Sequence, residues 1–299
     1  MRCFRSVCIV AMFCITHINI QGITLVYNLR IGETTRAVNP SFGTMKPSVI
    51  ALTPFAQFRH FKNDFKQSAG GMLGTYIFMH KDFFARINAA GGRVHAELDN
   101  TLDYGATEAD DLLFTGGYSW RLGDYTRVGI AGHLGFPLHT DHILQSVELG
   151  TGHIGLGVQC DASHAFSDTQ MILLAGRFIH FFPRNITVTL NDVMQNVNFH
   201  LGNVLDVLFS YQQSWREHMI YFGYNPTFTL GTDPPPGTIP YVKFTTITNS
   251  FFFTYRYGFM IKDLLSAIIL GFSYGLTKVP APFYSGHIIN SWFTWGIDF

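Results

Sequence analysis

The segment His287-Ile-Ile-Asn-Ser-Trp-Phe-Thr-Trp-Gly-Ile-Asp-Phe299 decides the fold. Ile289, Phe293, Trp295, Ile297 and Phe299 fall on one side of an extended chain, and Asn290, Thr294, Gly296 and Asp298 on the other. A period of two with one apolar and one polar face is a β-strand between two different solvents.

Composition extends this reading to the whole chain. Of 299 residues only 13% are charged, against the roughly 25% usual in soluble domains, while 15% are aromatic, with 29 Phe and 29 Gly. Mean hydropathy is nevertheless only +0.17. A helical membrane protein needs spans of about 20 consecutive apolar residues and would be far more apolar, whereas strands that are apolar at alternate positions give an intermediate value. The longest helical candidates fail: Leu264 to Thr277 is broken by Gly271 and Gly275, and the uncharged stretch from Val279 to Ile297 contains Pro280 and Pro282.

Alternation and turn signals predict about twelve strands, near 48–60, 70–79, 83–98, 112–121, 125–136, 147–165, 169–181, 197–212, 218–230, 241–259, 264–277 and 287–299. Short connections (His80 to Asp82, Leu122 to Asp124, Phe166 to Asp168, Gln213 to Glu217, Met260 to Asp263) alternate with long ones (61–69, 99–111, 137–146, 182–196, 231–240, 278–286). An even strand count with short turns at one end and long loops at the other is the pattern of a closed, up-and-down transmembrane β-barrel. The fold expected for 48–299 is therefore all-β: a transmembrane antiparallel barrel in the bacterial outer membrane, in contact with its lipid, and a monomer.

The first 22 residues read as a signal peptide, with Arg2 and Arg5 ahead of the apolar run from Val7 to Ile15; an uncleaved anchor is the alternative. Residues 23–47 would be a periplasmic lead-in or a small plug. Cys3, Cys8 and Cys14 belong to the leader, leaving Cys160 and no intrachain disulfide. Without Arg2 and Arg5 the remaining chain has 18 basic against 20 acidic residues, a net of about −2, so no nucleic-acid footprint is present.

Assigning the apolar side of each strand to lipid turns the other side inward. An Arg or Lys at the lipid midplane costs about 2–4 kcal/mol, which sets the register. The inward candidates are Gln57, Arg59, Arg86, Arg127, His133, His153, Gln159, Asp161, Arg177, His200, Asp206 and Arg256. They could form a charged constriction that sorts solutes, or satisfy one another in a filled barrel. The trio in His139-Thr-Asp-His142 reads as a polar outer loop rather than a metal site, and no cofactor motif is present.

Two resemblances add to this. An ending rich in alternating aromatics with a terminal Phe resembles the closing strand of bacterial outer-membrane barrels, which implies that Phe293, Trp295, Ile297 and Phe299 are read by the barrel assembly machinery. The stretches Gly132-His-Leu-Gly-Phe-Pro-Leu138 and Leu149-Gly-Thr-Gly-His-Ile-Gly-Leu-Gly157 resemble the outer-membrane channels of phenol meta-pathway operons, relatives of the long-chain fatty-acid transporter. That resemblance implies a porin-like channel for passive transport of small hydrophobic or aromatic solutes. The alternatives are a non-transporting surface barrel or a lipid-modifying enzyme. For the latter, the His-x-Ser-Asn-Gly pattern of outer-membrane phospholipases is missing; only Ser163-His164 and Asn290-Ser291 come near it.

Overall fold

The computed structural model describes residues 48–61, 65–80, 82–98, 102–109, 111–138, 152–190, 193–232, 244–261, 264–278 and 286–298. The expected leader, the segment 23–47, the loop trio of 139–142 and Phe299 lie outside the described residues. The strands are β1 (Ser48–Phe61), β2 (Phe65–His80), β3 (Phe83–Leu98), β4 (Leu102–Ala109), β5 (Leu112–Arg121), β6 (Thr126–Phe136), β7 (Gly155–Ser167), β8 (Gln170–Phe181), β9 (Arg184–Leu190), β10 (Val193–Phe199), β11 (Asn203–Trp215), β12 (His218–Thr232), β13 (Phe244–Ile261), β14 (Leu264–Lys278) and β15 (Gly286–Asp298).

Twelve of these close a ring in chain order, β1-β2-β3-β5-β6-β7-β8-β11-β12-β13-β14-β15, and β15 returns antiparallel to β1. Closure leaves no open strand edge, as a chain crossing hydrocarbon requires. All twelve expected strands are present. The other three strands stand at the end with the long connections. β4 pairs with the far half of β3, beyond the stretch that β5 occupies. β9 and β10 pair with each other on the same offset that joins β8 to β11, so they prolong that hairpin past the ring.

Several boundaries differ from expectation. Of the predicted loop 61–69, Phe61 belongs to β1 and 65–69 to β2, because the ladder runs on through His60↔Lys66. The charge of Lys66 hides the alternation there, although a strand that has left the lipid can carry it. The strand predicted at 147–165 begins only at Gly155, and the one at 197–212 is interrupted at 200–202. The predicted loop 182–196 contains β9 and the start of β10, whose Ile186, Val188 and Thr189 are good strand formers.

Facing follows the alternation. Ile130, Leu134, Phe136, Leu174, Phe178, Phe209, Phe251, Phe253, Leu270 and Phe272 are exposed on the outside, whereas Arg86, Arg177 and Arg256 are buried inside. Such an apolar exterior suits hydrocarbon and would be an aggregation surface in water. Near the short turns it carries aromatics, among them Trp215, Tyr257, Trp295 and the pair Tyr118 and Trp120, whose rings lie 5.9 Å apart. This is the interfacial girdle of a transmembrane barrel.

Candidate functional site

The interior is organised by strand register. Gln159, Arg177, Asp206, Thr227, Thr248 and Thr277 are successive inward partners across β7, β8, β11, β12, β13 and β14. Arg177 and Asp206 are each about 1% exposed. The Arg177 guanidinium grips Asp206 Oδ2 through Nε at 3.0 Å and through Nη2 as an ion pair. The other carboxylate oxygen accepts from Thr227 Oγ1 at 2.7 Å. One buried charge pair is thus tied to three neighbouring strands, which is what makes it tolerable away from water.

The same lateral arrangement recurs elsewhere. Thr115 lies 3.0 Å from His133 Nδ1 and Thr75 donates to Asn88 at 2.7 Å, while along β7 itself Gln159 donates to Asp161 Oδ2 at 3.3 Å. Gln57 donates to Asn290 at 2.7 Å, and Asn290 to Ser273 at 2.8 Å. Arg86 sits beside Thr115 in register, and Arg256 lies inward between Met219 and Ile269.

The expected inward residues therefore separate into groups. Gln57, Arg86, His133, Gln159, Asp161, Arg177, Asp206 and Arg256 are inward and buried, and Arg127 is half-buried near the 122–125 turn. Arg59 occupies a β1 position whose side chain is not described. His153 and His200 depart from the expectation that strands carry them inward: His153 precedes β7, and His200 lies in the break between β10 and β11. Of the closing-strand residues, Phe293 and Trp295 face outward and Ile297 is half-buried. Ser163 and His164 lie on opposite faces of β7, the first buried and the second exposed, so they cannot act as nucleophile and base for one another. Among the described residues, no group of three His, Cys, Asp or Glu could hold a metal ion.

Facing alone did not single out the large apolar side chains of the interior. Leu113, Ile179, Phe181, Phe199, Leu201 and Val204 are buried toward the long-loop end of β5, β8 and β11. Several large inward side chains lie over a glycine that is their register partner: Phe181 over Gly155, Ile179 over Gly157, Phe84 over Gly117, Phe252 over Gly223 and Asp161 over Gly129. A Cβ at Gly157 would approach 2.8 Å from the Phe178 carbonyl and 3.0 Å from Ile179. The missing side chain lets the larger neighbour fold against the wall instead of crossing the barrel. The sequence signal was an inward glycine paired with an inward aromatic, legible only once register is known.

A clasp closes over this apolar end. Gly152 adopts a left-handed φ of 63° beneath the Arg184 guanidinium, where any Cβ would collide. Arg184 donates to the Gly152 carbonyl at 3.1 Å, and His153 Nδ1 donates to the Phe182 carbonyl at 2.9 Å. His153 lies outside the spanning strands. Burial, opposed by that hydrogen bond and reinforced by Arg184 and His200, pushes its pKa down to about 4.

No protein-family model matches the chain, and no curated protein matches it. Solved structures do. An outer-membrane channel of Pseudomonas putida F1 aligns with a TM-score of 0.63 at 12% identity, over 84% of this chain and 96% of that one. The translocator domain of the autotransporter NalP from Neisseria meningitidis gives 0.49 at 9% identity, over 90% and 93%. The CymD monoaromatic hydrocarbon channel gives 0.48 at 11%, over 91% and 94%. At 12% identity what this chain shares with the Pseudomonas channel is the fold.

Proposed function

We propose that the protein is a monomeric bacterial outer-membrane channel for passive entry of small hydrophobic or aromatic solutes, folded there by the barrel assembly machinery. The observation that carries this reading is the apolar interior at the long-loop end, where Leu113, Ile179, Phe181, Phe199, Leu201 and Val204 offer a dry surface above the Arg177 and Asp206 belt. Apolar walls with few polar groups take up apolar ligands and discriminate poorly among them. The likeness of fold to a channel supports the same reading. Residues as buried as Arg177 and Gln159 favour a path without a standing water column, so solutes would pass by side-chain displacement and ions would pass slowly.

The test is uptake by cells that express or lack the protein. Toluene and benzyl alcohol should enter faster with it, and a sugar of similar mass should not. Equal uptake of all three in both strains would sink the reading. It would favour the second one that the packed interior supports, a barrel that transports nothing.

A further inference from the structure

Outside the barrel, the positions just beyond the apolar belt differ between its two sides. At the long-loop end of five adjacent strands, β14, β15, β1, β2 and β3, the outward residues turn from apolar to basic: Lys278, His287, His60, Lys66, then Arg93 and His95. All six are exposed. His60 is the register partner of both His287 and Lys66, while Lys278 and His95 lie two residues along their strands from Leu276 and Glu97, the partners of His287 and Lys66. Tyr274 adds its hydroxyl, 2.6 Å from His287 Nδ1. The carboxylate among the described side chains of this rim is Glu97, register partner of Lys66. Immediately below stand Leu276, Ile289 and Phe58, all exposed. The opposite side carries Leu138, Ile154, Phe182 and Leu230 near the same end, with His180 held by Asn203 at 2.7 Å.

We propose that this one-sided basic rim binds the phosphate groups of a multiply acylated, phosphorylated membrane lipid of the outer leaflet. The lipid's chains would lie against the apolar strip formed by Leu276, Ile289 and Phe58. The inference rests on the membrane setting proposed above and not on transport. Lys66, Arg93 and Lys278 supply ammonium and guanidinium groups beside the imidazoles of the row, so a phosphate monoester meets several charge-assisted contacts at once. The charge row directly above an apolar wall selects a molecule with an anionic head and hydrocarbon tails, because a free anion would use only the first of the two surfaces.

The test uses the full-length protein folded in detergent, with folding checked by heat-modifiable gel mobility. Native mass spectrometry with diphosphoryl lipid A should show a retained adduct. The triple change Lys66→Gln, Arg93→Gln, Lys278→Gln should weaken it by about fivefold per cation, roughly a hundredfold in all. Arg121→Gln, at the short-turn end, should leave it unchanged. If the triple variant does not fold, the single variants are expected to show about fivefold each. Binding that survives the substitutions, that is equal for dephosphorylated lipid, or that millimolar inorganic phosphate displaces would overturn the proposal. Toluene uptake should be the same in the triple variant, so failure here is distinguishable from failure of the channel reading.

Discussion

Around the Arg177 and Asp206 belt, inward polar groups are answered by the neighbouring strand in register. Toward the long-loop end, the inward partners of Phe181 and Ile179 are instead glycines that answer with empty space. Both regions belong to the same interior and use the same ladder. The belt is held by complementary charge and hydrogen bonds, which fail steeply when one partner is lost. The apolar end is held by shape, which can yield and recover. On the function proposed above, the difference would give stability and selection against ions to the belt, and passage of solute to the glycine-backed end.

The largest effect should come from breaking the belt. Asp206→Ala removes the carboxylate that the buried Arg177 guanidinium grips and should cost about 4 kcal/mol in urea unfolding from lipid vesicles. Replacing both partners, as Arg177→Met with Asp206→Leu, should recover most of that. A double variant no more stable than Asp206→Ala would mean that the hydrogen bonds, and not the isolated charge, carry the belt.

At the apolar end, Phe181→Ala empties the space over Gly155 and should cost about 3 kcal/mol while changing which solutes pass. Gly157→Val fills space instead. The clash with Ile179 and the Phe178 carbonyl should cost about 2 kcal/mol and slow aromatic uptake more than it lowers stability. Uptake that tracks stability in both variants would erase the distinction between the two regions.

The clasp over that end responds to acid. The His153 pKa of about 4 in the folded protein lies below the ordinary imidazole value near 6.5, so the loosened segment takes up the proton first. Stability of the seated segment is therefore full above about pH 6.5 and is lost as pH falls toward 4, by up to about 3 kcal/mol. Hydrogen exchange at 152–154 should accelerate across that window. His153→Gln should flatten the dependence, and an unchanged profile in that variant would assign the response to another group.

The barrel was legible in the sequence because its two faces meet different solvents, and that contrast writes a period of two into each strand, as in β13 and β14. Charged inward residues such as Arg177 and Asp206 were legible for the same reason, since lipid excludes them. Their pairing was not, because it depends on which residue of β8 lies opposite which residue of β11, an offset that alternation within one strand does not contain. The apolar inward residues Phe84, Phe181 and Phe252 were hidden for a related reason: an aromatic on either face satisfies the apolar count, and only the register glycine opposite tells which. His153 and His200 were misplaced because β7 and β11 begin later than their alternation suggests.

The smallest effect tests the ladder beside the belt. The pairings Asp206↔Thr227 and Phe209↔Tyr224 bracket a place where Pro226 faces Val207, and proline has no N–H to offer the Val207 carbonyl. Asn225 supplies the missing donor from its side chain, with Nδ2 2.7 Å from that oxygen. Asn225→Ala should thus cost about 1 kcal/mol, the value of one unsatisfied carbonyl next to the Asp206 pair. Pro226→Val alone should be nearly neutral, since it provides a second donor to an oxygen already served. Combined with Asn225→Ala, it should restore what that change lost. Additive losses in the double variant would show that Asn225 acts by packing rather than by repairing the ladder.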